Sequence, residues 1–126
     1  MAKDAVRWSS KPVPKDFEAA LSFLSLVYPT ARAAKLVRAL RRAARVTHTA
    51  KDLLRASGLP LLPPEETHVA ADLKRIRKSK PLSPVLLVRG DLSRARALLV
   101  ADGYHRICAV CYYDEDAPIA CLLVPG

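Results

Sequence analysis

Ala97-Leu98-Leu99-Val100-Ala101-Asp102-Gly103-Tyr104-His105-Arg106 carries an apolar run straight into a short polar turn. A helix-like run, Ile107 to Tyr113, leads out of it. The order is strand, tight turn, helix. Gly103 can take a backbone conformation closed to other residues. Asp102 is placed to cap the helix by accepting a backbone N–H bond. The first N–H groups of that helix have no internal partner and sit at the positive end of its dipole. Such a turn suits an anion, and His105 and Arg106 lie in its first turn.

On the upstream side, Pro84-Val85-Leu86-Leu87-Val88 reads as a buried strand, joined to the turn by a polar, hairpin-like connection from Gly90 to Arg96. Before it, a helix starts near Glu65-Glu66-Thr67 and turns Val69, Leu73 and Ile76 inward. Its acids stand at the start and Lys74, Arg75, Arg77 and Lys78 at the end, as the helix dipole favours, and Pro81 stops it. Leu59 to Pro64 is apolar but proline-rich, so it runs extended without being a central strand. Thr49 caps a short helix over residues 50–57, which Gly58 ends. Val46-Thr47-His48 is β-compatible. On the downstream side, Asp114-Glu115-Asp116 is an acidic loop, and Ile119 to Val124 closes the chain as a strand.

Residues 1–14 read as a tail, with Trp8 either anchoring it or exposed. Asp16 is the expected N-cap of a helix over residues 16–28, whose Phe17, Ala20, Leu21, Leu24, Val27 and Tyr28 form one stripe. Pro29 ends it. Thr30 caps a second helix, residues 31–44, with Leu36, Val37, Leu40 and Ala44 inside. Arg32, Lys35, Arg38, Arg41, Arg42 and Arg45 place six positive charges along it with no acid between them. Such a helix is either a solvated face or a contact for nucleic acid or an acidic protein. No aromatic residue interleaves with these arginines, so single-strand stacking is not indicated.

The chain has 126 residues and half of them are apolar, enough for one core and too many for wholesale disorder. The net charge of +9 favours anionic partners. No apolar run approaches the roughly 20 residues that span a bilayer, and the N-terminus lacks a signal-peptide pattern. A cytoplasmic protein without membrane contact is expected. Three cysteines without paired spacing do not describe a disulfide framework.

From about residue 46 onward the chain resembles the ParB/sulfiredoxin superfamily. The resemblance rests on Leu62-Pro63-Pro64, the helix bearing Val69 and Ile76, the strand Pro84–Val88, and Ala101-Asp102-Gly103-Tyr104-His105-Arg106 with Ala109. It implies a small α+β domain with a mixed sheet over residues 46–126, with residues 1–45 a tail and helical hairpin packed on it. It also implies a phosphate-bearing ligand at the turn. Sulfiredoxins carry their nucleophilic cysteine directly before His-Arg; Tyr104 stands there in this chain, so that chemistry is missing. Partition proteins of the superfamily bind CTP and DNA, but they usually have an arginine-rich turn and a further helix-turn-helix domain, for which this chain is too short. Free-serine kinases of this fold have a similar turn, which Asp102, His105 and Arg106 fit loosely. A basic residue before the helix valine helps to hold phosphate in sulfiredoxins; His68 takes that position, and Arg75 follows two turns along the same face. The hydroxyl ligands of that pocket align with Ala71 and Arg75, so the pocket is altered.

The expected phosphate or nucleotide site is thus Gly103, Tyr104, His105, Arg106, His68 and Arg75, taking ATP, ADP or CTP with Mg²⁺. The alternative for Arg106 is an ion pair with Asp102 or Glu65. His105 is a ligand donor, an acid/base group or a backbone hydrogen-bonding residue. If the protein is an enzyme, phosphoryl transfer is the reaction class, with Asp102, His105 and Glu65 as catalytic candidates. Glu65 and Glu66 are either capping residues or a catalytic base or magnesium contact, and Asp102 is either a cap or a metal or base residue. His105, Cys108 and Cys111 share one side of a helix, but thiol pairs in metal sites usually flank turns, and no metal site is expected. The alternative function is a non-catalytic nucleic-acid or partner-binding module using the basic helix.

Overall fold

A computed structural model describes residues 4–126. The first three residues of the expected tail lie outside the described residues. Helix α1 spans Pro14–Val27. Pro14 takes the first helical position, where no N–H is needed, so the helix starts two residues before Asp16. Asp16 is therefore not the N-cap: it sits in the first turn, and its Oδ2 accepts the Val13 N–H at 3.0 Å. Helix α2 spans Thr30–Arg42, with Pro29 rather than Thr30 in the capping position.

Strand β1, Arg45–Thr49, leads into helix α3, Ala50–Ser57. The Asp52 N–H donates to Thr49 Oγ1 at 3.3 Å, and Gly58 ends α3 in the left-handed conformation. Helix α4 is Thr67–Arg77, strand β2 Val85–Val88, strand β3 Leu99–Asp102, helix α5 Tyr104–Tyr113 and strand β4 Pro118–Val124. The connection before β3 holds a 3-10 turn at Leu92–Arg94 and a bridge between Asp91 and Arg96.

The strands form one mixed four-stranded sheet in the order β1-β4-β2-β3. β4 and β2 run parallel, and the outer pairs are antiparallel. This is an α+β fold. Side chains alternate across the strands. Val85, Leu87, Val100, Ile119 and Cys121 pack with Leu53, Val69, Leu73, Ile76, Ile107 and Val110 of α3, α4 and α5. Leu86, Val88, Ala101, Leu122 and Val124 pack on Phe17, Ala20, Leu24, Leu36 and Leu40 of α1 and α2. The N-terminal hairpin is thus the second helical layer of the sheet.

Trp8 anchors the tail: it bridges Leu82 and packs, partly buried, against the core that α3, α4 and α5 share with the sheet. The Ser9 N–H donates to the Leu82 carbonyl and the Leu82 N–H to that of Arg7, at 2.8 and 2.9 Å. Among the described residues no helix is long and apolar enough to cross a membrane.

Candidate functional site

β3 passes into α5 through Gly103, whose φ is +108°. A Cβ there would lie 2.5 Å from Val85 Cγ1, so both the conformation and the space demand glycine. Gly103 is itself the N-cap, and no side chain caps α5 among the described residues. Asp102, the expected cap, is drawn to Arg106 one turn on.

The Arg106 side chain is only 11% exposed. Its Nη2 donates to Asp102 Oδ2 at 2.5 Å and stands 3.5 Å from Asp16 Oδ1. Its Nη1 donates to the carbonyls of Ser83 and Pro84, at 2.6 and 3.3 Å. The Ser83 hydroxyl donates to Asp16. One guanidinium therefore joins α1, the lead into β2, the end of β3 and α5. Of the roles open to Arg106, this is the ion pair with Asp102, and Glu65 takes no part. Binding phosphate through Arg106 requires these bonds to break. Burial pushes the Asp102 carboxyl up to about 6 against the pull of Arg106, and the hydrogen bond and charge of Asp16 push the same way.

A second group gathers where α4 and α5 both begin. Glu66 caps α4: its Oε2 accepts the N–H groups of His68 and Val69, each at 2.9 Å. His68 Nδ1 lies 2.9 Å from Glu66 Oε1, and His105 Nε2 lies 3.9 Å from Glu66 Oε2. The two imidazole centroids are 4.6 Å apart. Tyr104 packs beside His105, with ring centroids 5.8 Å apart, and its hydroxyl donates to the Pro60 carbonyl. The Val69 N–H, then the hydrogen bond from His68, hold the Glu66 carboxyl below its usual range. Asp72, half-buried one turn along α4 from His68, is pushed up by burial against the charges of Arg106, His105, Arg75 and His68.

The structure therefore brings His68, Tyr104 and His105 together, at the helix start that Gly103 caps. Arg75 instead donates from Nη2 to the Pro81 carbonyl at 2.8 Å. Glu65 lies on the exposed turn before α4 and joins none of the ion pairs among the described residues. Cys108 and Cys121 are buried and Cys111 partly so. Burial raises all three thiols, Cys111 to about 11 and Cys121 to about 12, so they pack as hydrophobes.

On α2 the cations face outward, and none forms an ion pair among the described residues. Arg41 lies over the Phe17 ring at 4.5 Å, and Arg45 donates to the Ser9 carbonyl at 2.8 Å. A cleft of about 360 Å³ lies away from both groups, among His48, Asp52, Arg55, Arg89, Arg96 and Leu98.

Comparison with known proteins found no matching family model, no matching curated protein and no matching solved structure. Two features of the site were not anticipated from sequence. One is the link from Asp16 and Ser83 to Arg106, which no local spacing signals. The other is Asp72, whose signal was available: it lies four residues after His68, one helical turn on.

Proposed function

We propose that the protein binds a phosphate-bearing small molecule, with a nucleotide the leading class, where α4 and α5 begin. The observation that carries this is the approach of His68 and His105 to 4.6 Å beside the start of α5, which no side chain caps among the described residues. Each imidazole stands in the first turn of its helix; the start of α4 is capped by Glu66, so the positive end on offer is that of α5. His68, His105 and the N–H groups that follow Gly103 are the donors, and Tyr104 forms one wall. The resemblance of Gly103-Tyr104-His105-Arg106 to the ParB/sulfiredoxin turn supports the same ligand chemistry. Arg106 serves here by fixing the turn rather than by touching phosphate.

Phosphoryl transfer from ATP, ADP or CTP with Mg²⁺ is the reaction class suited to such a site. Of the catalytic candidates, His105 stands at it, while Asp102 is held by Arg106 and Glu65 is outside. The test is the NMR response of the imidazoles to each nucleotide and to inorganic phosphate. Saturable shifts of His68 and His105 are expected. Nucleotide binding that leaves both rings unmoved contradicts the reading.

The outward cations of α2, which form no ion pair among the described residues, support a second reading, a polyanion-binding face for nucleic acid. Binding there falls steeply with salt and is lost on charge reversal at Arg38 and Arg42, whereas His105→Ala leaves it intact.

A further inference from the structure

We infer that Glu66, His68 and His105 form a binding site for a divalent metal ion, zinc by its donor set. Each residue offers one ligating atom, and these atoms lie within 4.8 Å of one another. In a tetrahedral zinc site with bonds near 2.0–2.2 Å, the ligating atoms stand about 3.4 Å apart. His68 Nδ1 lies 2.9 Å from Glu66 Oε1 and His105 Nε2 lies 3.9 Å from Glu66 Oε2, distances on either side of that value, each to a different oxygen of the one carboxylate. His68 is 69% exposed and His105 42%, so both rings have room to adjust.

A capping glutamate paired with its neighbouring histidine would explain Glu66 and His68 alone. It does not explain why His105, from a different helix, turns its Nε2 to the same carboxylate. Two imidazoles and one carboxylate match zinc's preference for nitrogen and oxygen donors and leave a fourth position open. Both histidines are well exposed, so solvent reaches the cluster. Asp72, one turn beyond His68, adds negative charge close by.

The inference goes beyond the phosphate reading and stands without it. It also resolves a conflict there. The Glu66 carboxylate repels a bare phosphate, whereas a cation seated between Glu66 and the histidines attracts one.

The test is titration of the metal-free full chain with Zn²⁺ by calorimetry, and with Co²⁺ by visible absorption, in phosphate-free buffer. The expected result is saturable binding with intense tetrahedral Co²⁺ bands. His68→Ala and His105→Ala each weaken it by at least the roughly 100-fold that loss of a supporting group costs at metal sites, and Cys111→Ser leaves it unchanged. Circular dichroism of each variant confirms that it is folded; His68, being exposed, keeps the test available if His105→Ala does not fold. Absence of binding in the wild type, or binding that survives both histidine substitutions, overturns the inference. Nucleotide binding in metal-free buffer would stand regardless.

Discussion

Arg106 Nη2 lies 2.5 Å from Asp102 Oδ2, across the single turn that joins β3 to α5. Both side chains are largely shielded, and Asp16 reaches the same guanidinium from α1. The ion pair locks the turn and ties the N-terminal layer to it. Arg106→Met leaves two shielded carboxylates without their cation. Such a loss typically costs about 3–5 kcal/mol, and urea unfolding should show a drop of that order. Arg106→Lys should recover only part of it, since an ammonium cannot reproduce the planar fork that meets Asp102 and two carbonyls together.

The Asp102 carboxyl also gives the fold a pH signature. Its value is raised from 3.8 to about 6, first by burial. The native state therefore holds this proton more tightly than the unfolded chain. As the pH rises from 3.8 to about 6, the unfolded state releases the proton first, and the contribution of this group to stability falls. Below that window the penalty is absent, and above it the penalty is complete. The difference in unfolding free energy between wild type and Asp102→Asn should change across this range and be flat above it. A difference independent of pH would contradict the shielded placement of Asp102.

Gly103 and Gly58 both have positive φ, +108° and +68°, but only Gly103 is crowded. Gly58→Ala meets nothing within 4 Å and should cost about 1 kcal/mol, from backbone conformation alone. Gly103→Ala drives a methyl group into Val85, and strain of this kind adds about 1–3 kcal/mol. Thermal melts of the two variants should separate them clearly, with Gly103→Ala the less stable.

Leu24 is fully buried between α1 and the sheet. Leu24→Ala should destabilise the whole molecule by about 2–5 kcal/mol, in a single transition. A fragment of residues 46–126 should fail to fold alone, because it uncovers Leu86, Val88, Leu122 and Val124. Native-like dispersion in the spectrum of that fragment would count against an integral second layer.

The local elements were legible because their signals are local. Proline and glycine punctuate the helices, and Thr49 and Gly58 bound α3 at the expected residues. The strand at Val85–Val88 carried a further signal, since a run buried at every position needs cover on both faces. That requirement points to the N-terminal hairpin as the second layer. The partners of Arg106 were not legible in full. Asp102 is one helical turn away and was a candidate, but Asp16 and Ser83 reach it only through the packing of α1 and the lead into β2. The meeting of His68 with His105 is set by how α4 and α5 pack, to which the spacing of each helix is blind; only the resemblance to the ParB/sulfiredoxin turn put both residues in one expected site.

The most direct measurement is thermal stabilisation by ATP, ADP, CTP, GTP and inorganic phosphate, with and without Mg²⁺. It should compare wild type, His68→Ala, His105→Ala and a charge reversal of Arg38 and Arg42. Arg106 is unsuited to this comparison because its loss unsettles the fold. A ligand at about 100 times its dissociation constant adds roughly 2.7 kcal/mol of stability, a shift of several degrees in a domain of this size. Such a shift is expected for at least one phosphate-bearing ligand, lost in the histidine variants and kept in the charge reversal. No shift with any of them, or a shift that follows the α2 charges and ignores the histidines, would contradict it.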